Sequence, residues 1–179
     1  GVRQRGECDV AGIHLMDPAT GAYNTHLLTD ALALVAGYGR MQGVVYRRGD
    51  ARFEGRTAED AVRAALADSD CTMVSRDAGS GTRVIIDQLL GARRPPGYGV
   101  QTRSHNAVAA AVAQGRADWG VAIDTVARAY GLAFLPLREE RYDFVVPKTR
   151  LERPAVRAFR AVLDDAGTRA ELKALGFLV

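Results

Sequence analysis

The chain has 179 residues, of which 47% are hydrophobic and 25% charged, the balance of a globular protein with one sizeable core or two small ones. This composition excludes collagen-like structure and intrinsic disorder. The net charge is +3 with basic and acidic residues interspersed, so we expect no direct nucleic-acid binding by this segment. No apolar run approaches the roughly 20 residues that cross a bilayer, which predicts no membrane span.

Short strand-like runs alternate with Ala- and Leu-rich helical stretches, a pattern typical of parallel α/β architecture. The predicted strands cover residues 9–15, 43–47, 72–75, 120–123, 133–137 and 142–146. The predicted helices cover residues 58–67, 82–90, 105–114, 125–130, 154–165 and 167–175. Pro154 suits the first turn of its helix, where its missing N–H costs nothing.

Two segments of the chain, residues 4–13 and 113–123, resemble each other. Each is predicted as a helix that ends at a left-handed glycine, Gly6 or Gly115, followed by an Asp and a buried strand. A unit used twice indicates two similar lobes, and chance also explains a match this short. The first copy starts as a helix tail without its own preceding strand, so we expect the first lobe to lack its opening βαβ.

The turn after the third predicted strand carries the strongest chemical signal. Gly79 and Gly81 let the backbone approach a ligand closely, and such a turn directs successive N–H groups to one point. The positive end of the following helix adds to this preference for an anion. Ser80 and Thr82 supply hydroxyl donors, and Arg76 supplies a planar charged group. The segment therefore predicts an anion site.

Two other interpretations of this turn stay open. In the first, Ser80 or Thr82 only caps the helix, while Arg83 pairs with Asp87 one turn on. In the second, Ser80 is a catalytic nucleophile. Residues 78–82 do not form a Gly-x-Ser-x-Gly motif, and no His and acid follow at a recognisable spacing, so we expect no enzyme.

Cys8 and Cys71 are the two cysteines of the chain, and each lies in or beside an apolar run. This position favours small buried thiols. Two cysteines give neither a disulfide framework nor a metal site, and we expect no bound metal and no cofactor.

Several motifs resemble one protein family. Residues 76–82, Arg-Asp-Ala-Gly-Ser-Gly-Thr, look like the Arg-x-x-Gly-Ser-Gly-Thr loop of periplasmic phosphate-binding proteins. Ser75-Arg76 together with Ser80-Gly81-Thr82 also resembles tungstate-binding proteins. Residues 6–18, 104–112 and 139–143 resemble the periplasmic-binding-protein-like (type II) domain that is joined to helix-turn-helix regulators and to molybdopterin-biosynthesis proteins. The resemblance runs over essentially the whole chain.

The resemblance implies an α/β, two-lobed periplasmic-binding-protein type II fold with a hinge. Residues 1–42 and 138–179, with the C-terminal helices, would form lobe 1, and residues 43–137 would form lobe 2. A ligand would lie in the cleft between the lobes, and closure about the hinge would report its presence.

The resemblance also implies which residues contact the ligand. From lobe 2 these would be Arg76, Gly79, Ser80, Gly81 and Thr82, with Ser104 as a further contact or a plain N-cap. From lobe 1, His14 stands where phosphate binders carry a Ser-Asp pair, and a His can donate to a dianion such as molybdate or tungstate. His14 bonded to Asp17 is the alternative. Tyr142 is another candidate donor.

The function that this resemblance implies is a non-enzymatic sensor of a small oxyanion such as molybdate or tungstate. It would lie in the cytoplasm and regulate an attached helix-turn-helix or molybdopterin-biosynthesis domain, with a homodimer left open. One alternative is a receptor of an ABC oxyanion transporter, periplasmic or extracellular after removal of a leader. Another is a ligand-free structural or dimerisation domain. The sequence leaves the choice among phosphate, sulfate, molybdate and tungstate open.

Overall fold

The computed structural model of the chain describes residues 8–17 and 19–179. The helix tail predicted at residues 1–6, and with it the first copy's Gly6, lies outside this range. The chain divides into two compact units. Unit 1 takes the chain up to Arg40 and again from Glu140 to Val179, and unit 2 takes Met41–Glu139.

The elements agree in type and order with α/β architecture. The described strands are β1 (Ala11–Ile13), β2 (Leu32–Tyr46), β3 (Met73–Arg76), β4 (Gln101–Thr102), β5 (Trp119–Ile123) and β6 (Ala133–Pro147). The described α-helices are α1 (Ala58–Ala67), α2 (Gly81–Leu90), α3 (His105–Ala113), α4 (Asp124–Ala129), α5 (Pro154–Asp164) and α6 (Ala166–Ala174). None of the helices in this part of the chain combines the length and apolar character that crossing a membrane requires.

Within the described residues, six strands form a mixed sheet in the order β1-β6-β2-β5-β3-β4. β1 pairs with β6 and β2 with β5 in antiparallel fashion, whereas β5, β3 and β4 run parallel. Tyr46 of β2 and Met73 of β3 both lie opposite Trp119 of β5. The register therefore aligns β2, β5 and β3 in rows of three residues.

β2 is longer than the predicted strand at residues 43–47, and its additional length contains glycines that face β6 closely. A Cβ atom on Gly37 would collide with the carbonyl oxygen of Tyr142, and one on Gly43 would collide with that of Leu135. Both partners belong to β6. Glycine at these positions permits close approach of the two backbones.

β6 is one continuous strand, whereas we predicted two strands separated by the charged residues 138–141. The predicted break is wrong, because residues 138–141 continue the strand. Glu140 is only 1% exposed, since it is bound by other side chains of unit 1. The two-residue strand β4 was also missed, because a segment this short carries no periodicity.

The core of unit 2 has two apolar clusters, one on each face of the sheet, because successive strand residues point to opposite faces. Val44 and Met73 belong to the cluster that packs on α1 and α2. Val45 and Val74 belong to the cluster that packs on α3 and α4. The sequence places apolar residues in unbroken runs here because both faces of the parallel strands are covered.

The two cysteines are free thiols in different surroundings. Cys71 is fully buried in the cluster under α1 and α2, as predicted, and burial raises the pKa of its thiol to about 11. Cys8 is only half-buried. Among residues 8–17 and 19–179, no group of three or more His, Cys, Asp or Glu side chains is arranged to hold a metal ion.

The helices begin where the sequence supplies a cap or a proline. α1, α2, α3 and α6 start after a side chain that accepts a hydrogen bond from the N–H three residues on, and these caps are Thr57, Ser80, Ser104 and Asp165. α5 begins at Pro154, as predicted. α3 is followed by Gly115 with φ +72°, the left-handed glycine that we predicted after this helix.

Unit 1 packs α5 on the sheet through aromatic and apolar side chains. The rings of Phe159 and Phe144 meet edge to face with centroids 4.8 Å apart, and Val156 is 1% exposed. Arg150 and Arg153 both bind the carboxylate of Asp9, at 2.7 and 2.9 Å. These contacts join the beginning of unit 1 to its C-terminal half.

Replacing Gly97 by alanine should destabilise the chain by about 2 kcal/mol or more. Gly97 has φ +83°, and a Cβ atom there would collide with the carbonyl oxygen of Met73 in β3. Urea unfolding followed by circular dichroism measures the change. The matched control is Gly99→Ala, because a Cβ atom on Gly99 meets nothing among the described residues within 4 Å. Equal stability of the two variants would contradict the close packing of this segment on β3.

Candidate functional site

Three neighbouring strands of unit 2 run parallel and therefore end at the same edge of the sheet. β3 is followed by α2, β4 by α3 and β5 by α4, each after a short connection or none. The first turns of these helices consequently gather at this carboxyl edge. Open α/β sheets bind their ligands outside the carboxyl ends of the strands.

The turn between β3 and α2 is tied to β4 and open at its tip. The N–H of Asp77 donates to the carbonyl of Thr102 at 3.0 Å, and that of Ala78 donates to Oε1 of Gln101 at 3.3 Å. Gly79 has φ +88°, and a Cβ atom there would meet no atom of the described residues within 4 Å. The tip of the turn therefore has space above it that a ligand can fill.

α2 begins at a serine cap. Oγ of Ser80 accepts from the N–H of Arg83 at 3.2 Å and donates to the carbonyl of Asp77 at 3.0 Å. The capping role that we considered for Ser80 is confirmed. Gly81 and Thr82 are the first residues of the helix, where N–H groups have no acceptor within the helix and the dipole is positive.

Arg76 lies at the end of β3 with its side chain only 9% exposed. Its Nε donates to the carbonyl of Thr102 at 3.2 Å, and its Nη2 lies 3.4 Å from the carbonyl of Arg103 and from Oδ1 of Asp77. Its Nη1 lies 3.4 Å from Nδ1 of His105, the first residue of α3. The guanidinium thus connects the turn before α2 with the beginning of α3.

The side chains of Thr82 and Ser104, both predicted ligand contacts, have structural roles in the described residues. Thr82 is 1% exposed, so its side chain points into the protein. At the start of α2 only its main-chain N–H is a candidate donor to a ligand. Oγ of Ser104 accepts from the N–H of Ala107 at 3.1 Å. The N-cap role that we considered for Ser104 is confirmed.

Arg83 holds the first turn of α2 against the end of β3. Its Nε donates to both carboxylate oxygens of Asp87, at 3.0 and 3.1 Å, which confirms the predicted pair. Its Nη1 donates to the carbonyl of Arg76 at 3.1 Å, and its Nη2 donates to the hydroxyl of Tyr98. Burial alone would raise the pKa of Asp87, but hydrogen bonds from Tyr98 and Arg83 outweigh it and lower this pKa. The helix start is therefore anchored by an ionised pair.

A second polar cluster lies in unit 1 around a buried carboxylate. Glu140 is 1% exposed, and it accepts from Nδ1 of His14 at 3.0 Å and from Nε of Arg40 at 2.5 Å. The carboxylate partner of His14 is thus Glu140 and not Asp17, because Asp17 caps its own turn by accepting from the N–H of Ala19. Burial alone would raise the pKa of Glu140. The hydrogen bonds and charges of His14 and Arg40 have the larger effect, so the pKa of Glu140 lies below its ordinary value.

Tyr142 lies beside this cluster with its ring stacked on two others. The ring centroids of His14 and Tyr38 are each 5.4 Å from that of Tyr142, with interplanar angles of 16° and 7°. The guanidinium carbon of Arg40 is 5.2 Å from the Tyr142 centroid. A Cβ atom on Gly12 would collide with the Tyr142 hydroxyl, so this hydroxyl packs on the backbone of β1.

The structure sorts the predicted site residues into two groups. His14 and Tyr142 come together in unit 1, and Arg76, Gly79, Ser80, Gly81, Thr82 and Ser104 belong to unit 2. Their roles in binding a ligand stay predictions. Sequence reasoning missed Arg40 and Glu140, although each lies two residues from an aromatic member of the cluster on its strand, the spacing of one strand face.

Comparison with protein families places the chain among binding-protein-like domains. A family described as "PBP superfamily domain" matches residues 3–164, which is most of the chain. The chain belongs to this family. The PBP superfamily domain is 31% identical over 182 residues to the uncharacterized protein YvgK of Bacillus subtilis (strain 168), and the match covers 96% of the chain. It covers 56% of YvgK, so the chain spans little more than half the length of this relative.

Solved structures share the fold of this PBP superfamily domain at low sequence identity. An ABC-type phosphate transport receptor from Vibrio cholerae has a TM-score of 0.66 at 12% identity, with 99% of the chain and 82% of the receptor covered. The tungstate-binding protein TupA from Desulfovibrio alaskensis G20 has a TM-score of 0.63 at 16% identity, with 96% and 76% covered. Reduced OxyR from N. meningitidis has a TM-score of 0.64 at 14% identity, with 99% and 78% covered. The predicted fold class is confirmed.

The PBP superfamily domain should lose about 3 kcal/mol of stability when Glu140 is replaced by glutamine. The substitution leaves Arg40, whose side chain is 12% exposed, without its ionic partner. Because the pKa of Glu140 is lowered on folding, the stabilisation by its carboxylate is present above the ordinary Glu pKa of about 4.3 and is lost as pH falls through the lowered value. The difference between wild type and variant should therefore shrink in acid.

Urea unfolding at pH 7 and at successively lower pH values measures this difference. Glu139→Gln is the matched control, because it removes the same charge from an exposed neighbour. A loss of stability equal to that of the control, or one that does not change with pH, would refute the buried ionised carboxylate.

Proposed function

We propose that unit 2 binds a small tetrahedral oxyanion at the turn of residues 77–80 and the first turn of α2. The observation that carries the proposal is the buried guanidinium of Arg76, which joins this turn to the beginning of α3. First helical turns offer unpaired N–H groups and a positive dipole end, and a guanidinium adds a full positive charge. Together these groups favour an anion over a neutral or cationic ligand.

The shape of the turn supports a compact ligand. The space above Gly79 is free of the described residues, so an anion can approach the backbone N–H groups without meeting a side chain. The hydrogen bonds of Arg83 to Asp87 and to the carbonyl of Arg76 hold the start of α2 in place. A start that is already ordered reduces the entropy lost on binding. An ordered turn with several main-chain N–H donors suits a small anion with several acceptor oxygens.

Two ligand types within this class have separate support. Molybdate or tungstate is favoured by the resemblance of residues 75–82 to tungstate-binding proteins and by the shared fold of TupA. Phosphate is favoured by the fold of the Vibrio cholerae receptor and by Asp77, whose carboxylate lies beside Arg76. A carboxylate accepts a hydrogen bond from a protonated oxyanion and repels a fully deprotonated one. We put molybdate or tungstate first and phosphate second.

The proposed activity is binding without turnover. A serine nucleophile needs a neighbouring base to take its proton, whereas the Ser80 hydroxyl is used as a helix cap and donates to a main-chain carbonyl. Neither of these partners is a base. The hydroxyl therefore holds the turn and the start of α2 in place.

We further propose that the domain senses its ligand in the cytoplasm and passes the signal to an attached domain. The free thiols of Cys8 and Cys71 fit a reducing compartment. OxyR shares the fold, and YvgK is longer than this chain, which leaves room for a further segment in such proteins. A regulatory or molybdopterin-biosynthesis partner is consistent with the resemblance of the sequence.

Calorimetric titration at constant ionic strength tests the binding proposal. Molybdate, tungstate, sulfate and phosphate are each added to the chain, and phosphate is measured at pH 6 and pH 8 to vary its protonation. Binding of at least one oxyanion is expected, with molybdate or tungstate strongest. Absence of heat and of thermal stabilisation with all four would refute the proposal.

Replacing Arg76 by alanine should weaken oxyanion binding about tenfold to a hundredfold, since a charge-assisted hydrogen bond contributes roughly 1.5 to 3 kcal/mol. Arg76→Lys should lie between wild type and Arg76→Ala, because the charge stays while the planar geometry is lost. Circular dichroism confirms that the variants are folded. Arg56→Ala is the control, since it removes an equal charge from an exposed residue before α1. A dissociation constant unchanged by Arg76→Ala would count against the site.

A further inference from the structure

Gln42 is a buried residue whose polar atoms are unused. It is 0% exposed, and neither Nε2 nor Oε1 has a hydrogen-bond partner among residues 8–17 and 19–179. A primary amide has two donors and an acceptor, and leaving them unpaired in the interior is costly. Buried polar groups without partners are rare in native proteins, and each needs a reason.

The register of the sheet places Gln42 at the carboxyl edge of the parallel strands. Gln42 lies opposite Ile123, the last residue of β5 and the one that precedes α4. Val74 of β3 lies opposite Gly120 of β5, and counting on along both strands brings residue 77 level with Ile123. Gln42 and Asp77 therefore lie in one row across the sheet.

The side chain of Gln42 projects from the face on which α2 packs. Residues 42, 44 and 46 of β2 share one face by strand alternation, and Val44 and Tyr46 belong to the cluster under α1 and α2. Thr82, in the first turn of α2, is buried at 1% exposure. The amide of Gln42 thus lies on the same side of the sheet as the first turn of α2.

The chemistry of this face changes along the strands. The row at its far end consists of Tyr46, Trp119 and Met73, which are large and belong to the apolar cluster. Towards the carboxyl edge the face instead carries Ser75 and Gln42, both 0% exposed. Val121 and Ile123 of β5 stay apolar, so the polar groups of this face near the turn of residues 77–80 lie on the flanking strands β2 and β3.

We propose that Gln42 is a further ligand contact and that its Nε2 donates to the oxyanion held at this turn. The inference rests on the proposed function of unit 2. One strand separates Gln42 from residue 77, so their backbones are about 10 Å apart at the usual strand spacing. A glutamine side chain and an oxyanion with hydrogen bonds of about 3 Å on either side bridge such a span. The amide has no hydrogen-bond partner among the described residues, and a bound oxyanion would supply one.

Gln42→Met tests this assignment because methionine has a similar shape and no hydrogen-bonding amide. The dissociation constants for sodium molybdate and inorganic phosphate are measured by calorimetry, together with the melting temperature. For the oxyanion that wild type binds, we expect affinity to fall at least tenfold. The melting temperature without ligand should stay equal or rise, since the variant no longer buries an unpaired amide. A purely structural glutamine would not give this combination.

Gln114→Met is the matched control, because Gln114 is exposed at the end of α3, away from the carboxyl edge. Unchanged affinity in Gln42→Met, with binding by wild type, would overturn the role of Gln42 and leave the proposed function intact. Absence of binding by wild type would overturn both. If Gln42→Met does not fold, the side-chain ¹⁵N resonance of Gln42 in the wild-type chain decides: a shift on addition of the bound oxyanion supports the contact, and a constant resonance refutes it.

Discussion

The side chain of Arg76 is the interaction on which the arrangement of the candidate site depends. It leaves the end of β3, and its guanidinium is surrounded by the carbonyls of Thr102 and Arg103 and by the ring of His105. Two helices that are distant in sequence thereby begin beside one buried charge. A charge in this position is stable because these acceptors and the carboxylate of Asp77 surround it, and that requirement fixes the path of the chain from residue 102 to residue 105.

Unit 1 also contains a buried charge, but this charge is negative. There the buried charge is the carboxylate of Glu140, and Arg40 and His14 bind it while aromatic rings cover the pair. Arg76 and Glu140 are thus each paired within their own unit. The two clusters differ in their surroundings, because Arg76 is held largely by main-chain carbonyls and Glu140 by side chains. Substitution of a neighbouring side chain can therefore remove a partner of Glu140, but it leaves the main-chain partners of Arg76 in place.

Much of the fold could be predicted from periodicity alone. The helices α1, α2, α3 and α5 were placed within a few residues, because their apolar faces, caps and Pro154 are local signals. The lengths of β2 and β6 could not be predicted in this way. Gly37 is needed by a backbone that approaches from the other strand, and Glu140 is buried by residues a hundred positions away. Such tertiary constraints leave no periodic trace in the sequence.

The candidate site could be predicted in part, where its residues are close together in sequence. The glycines and hydroxyls of residues 79–82 are adjacent in sequence, so their shared turn could be recognised. The unpaired amide of Gln42 could not be recognised in this way, because a lone Gln before Gly43 in an apolar strand does not reveal it. Only the alignment of β2, β5 and β3 brings it level with that turn.

The different surroundings of the two cysteines allow selective labelling of one of them. A thiol reacts with maleimides and iodoacetamides as its thiolate, and the buried Cys71, with its pKa near 11, is almost entirely protonated at neutral pH. Cys8 is partly accessible and lies at the beginning of unit 1. A fluorophore or spin label can therefore be attached to one defined position of the native sequence, without first removing the second cysteine.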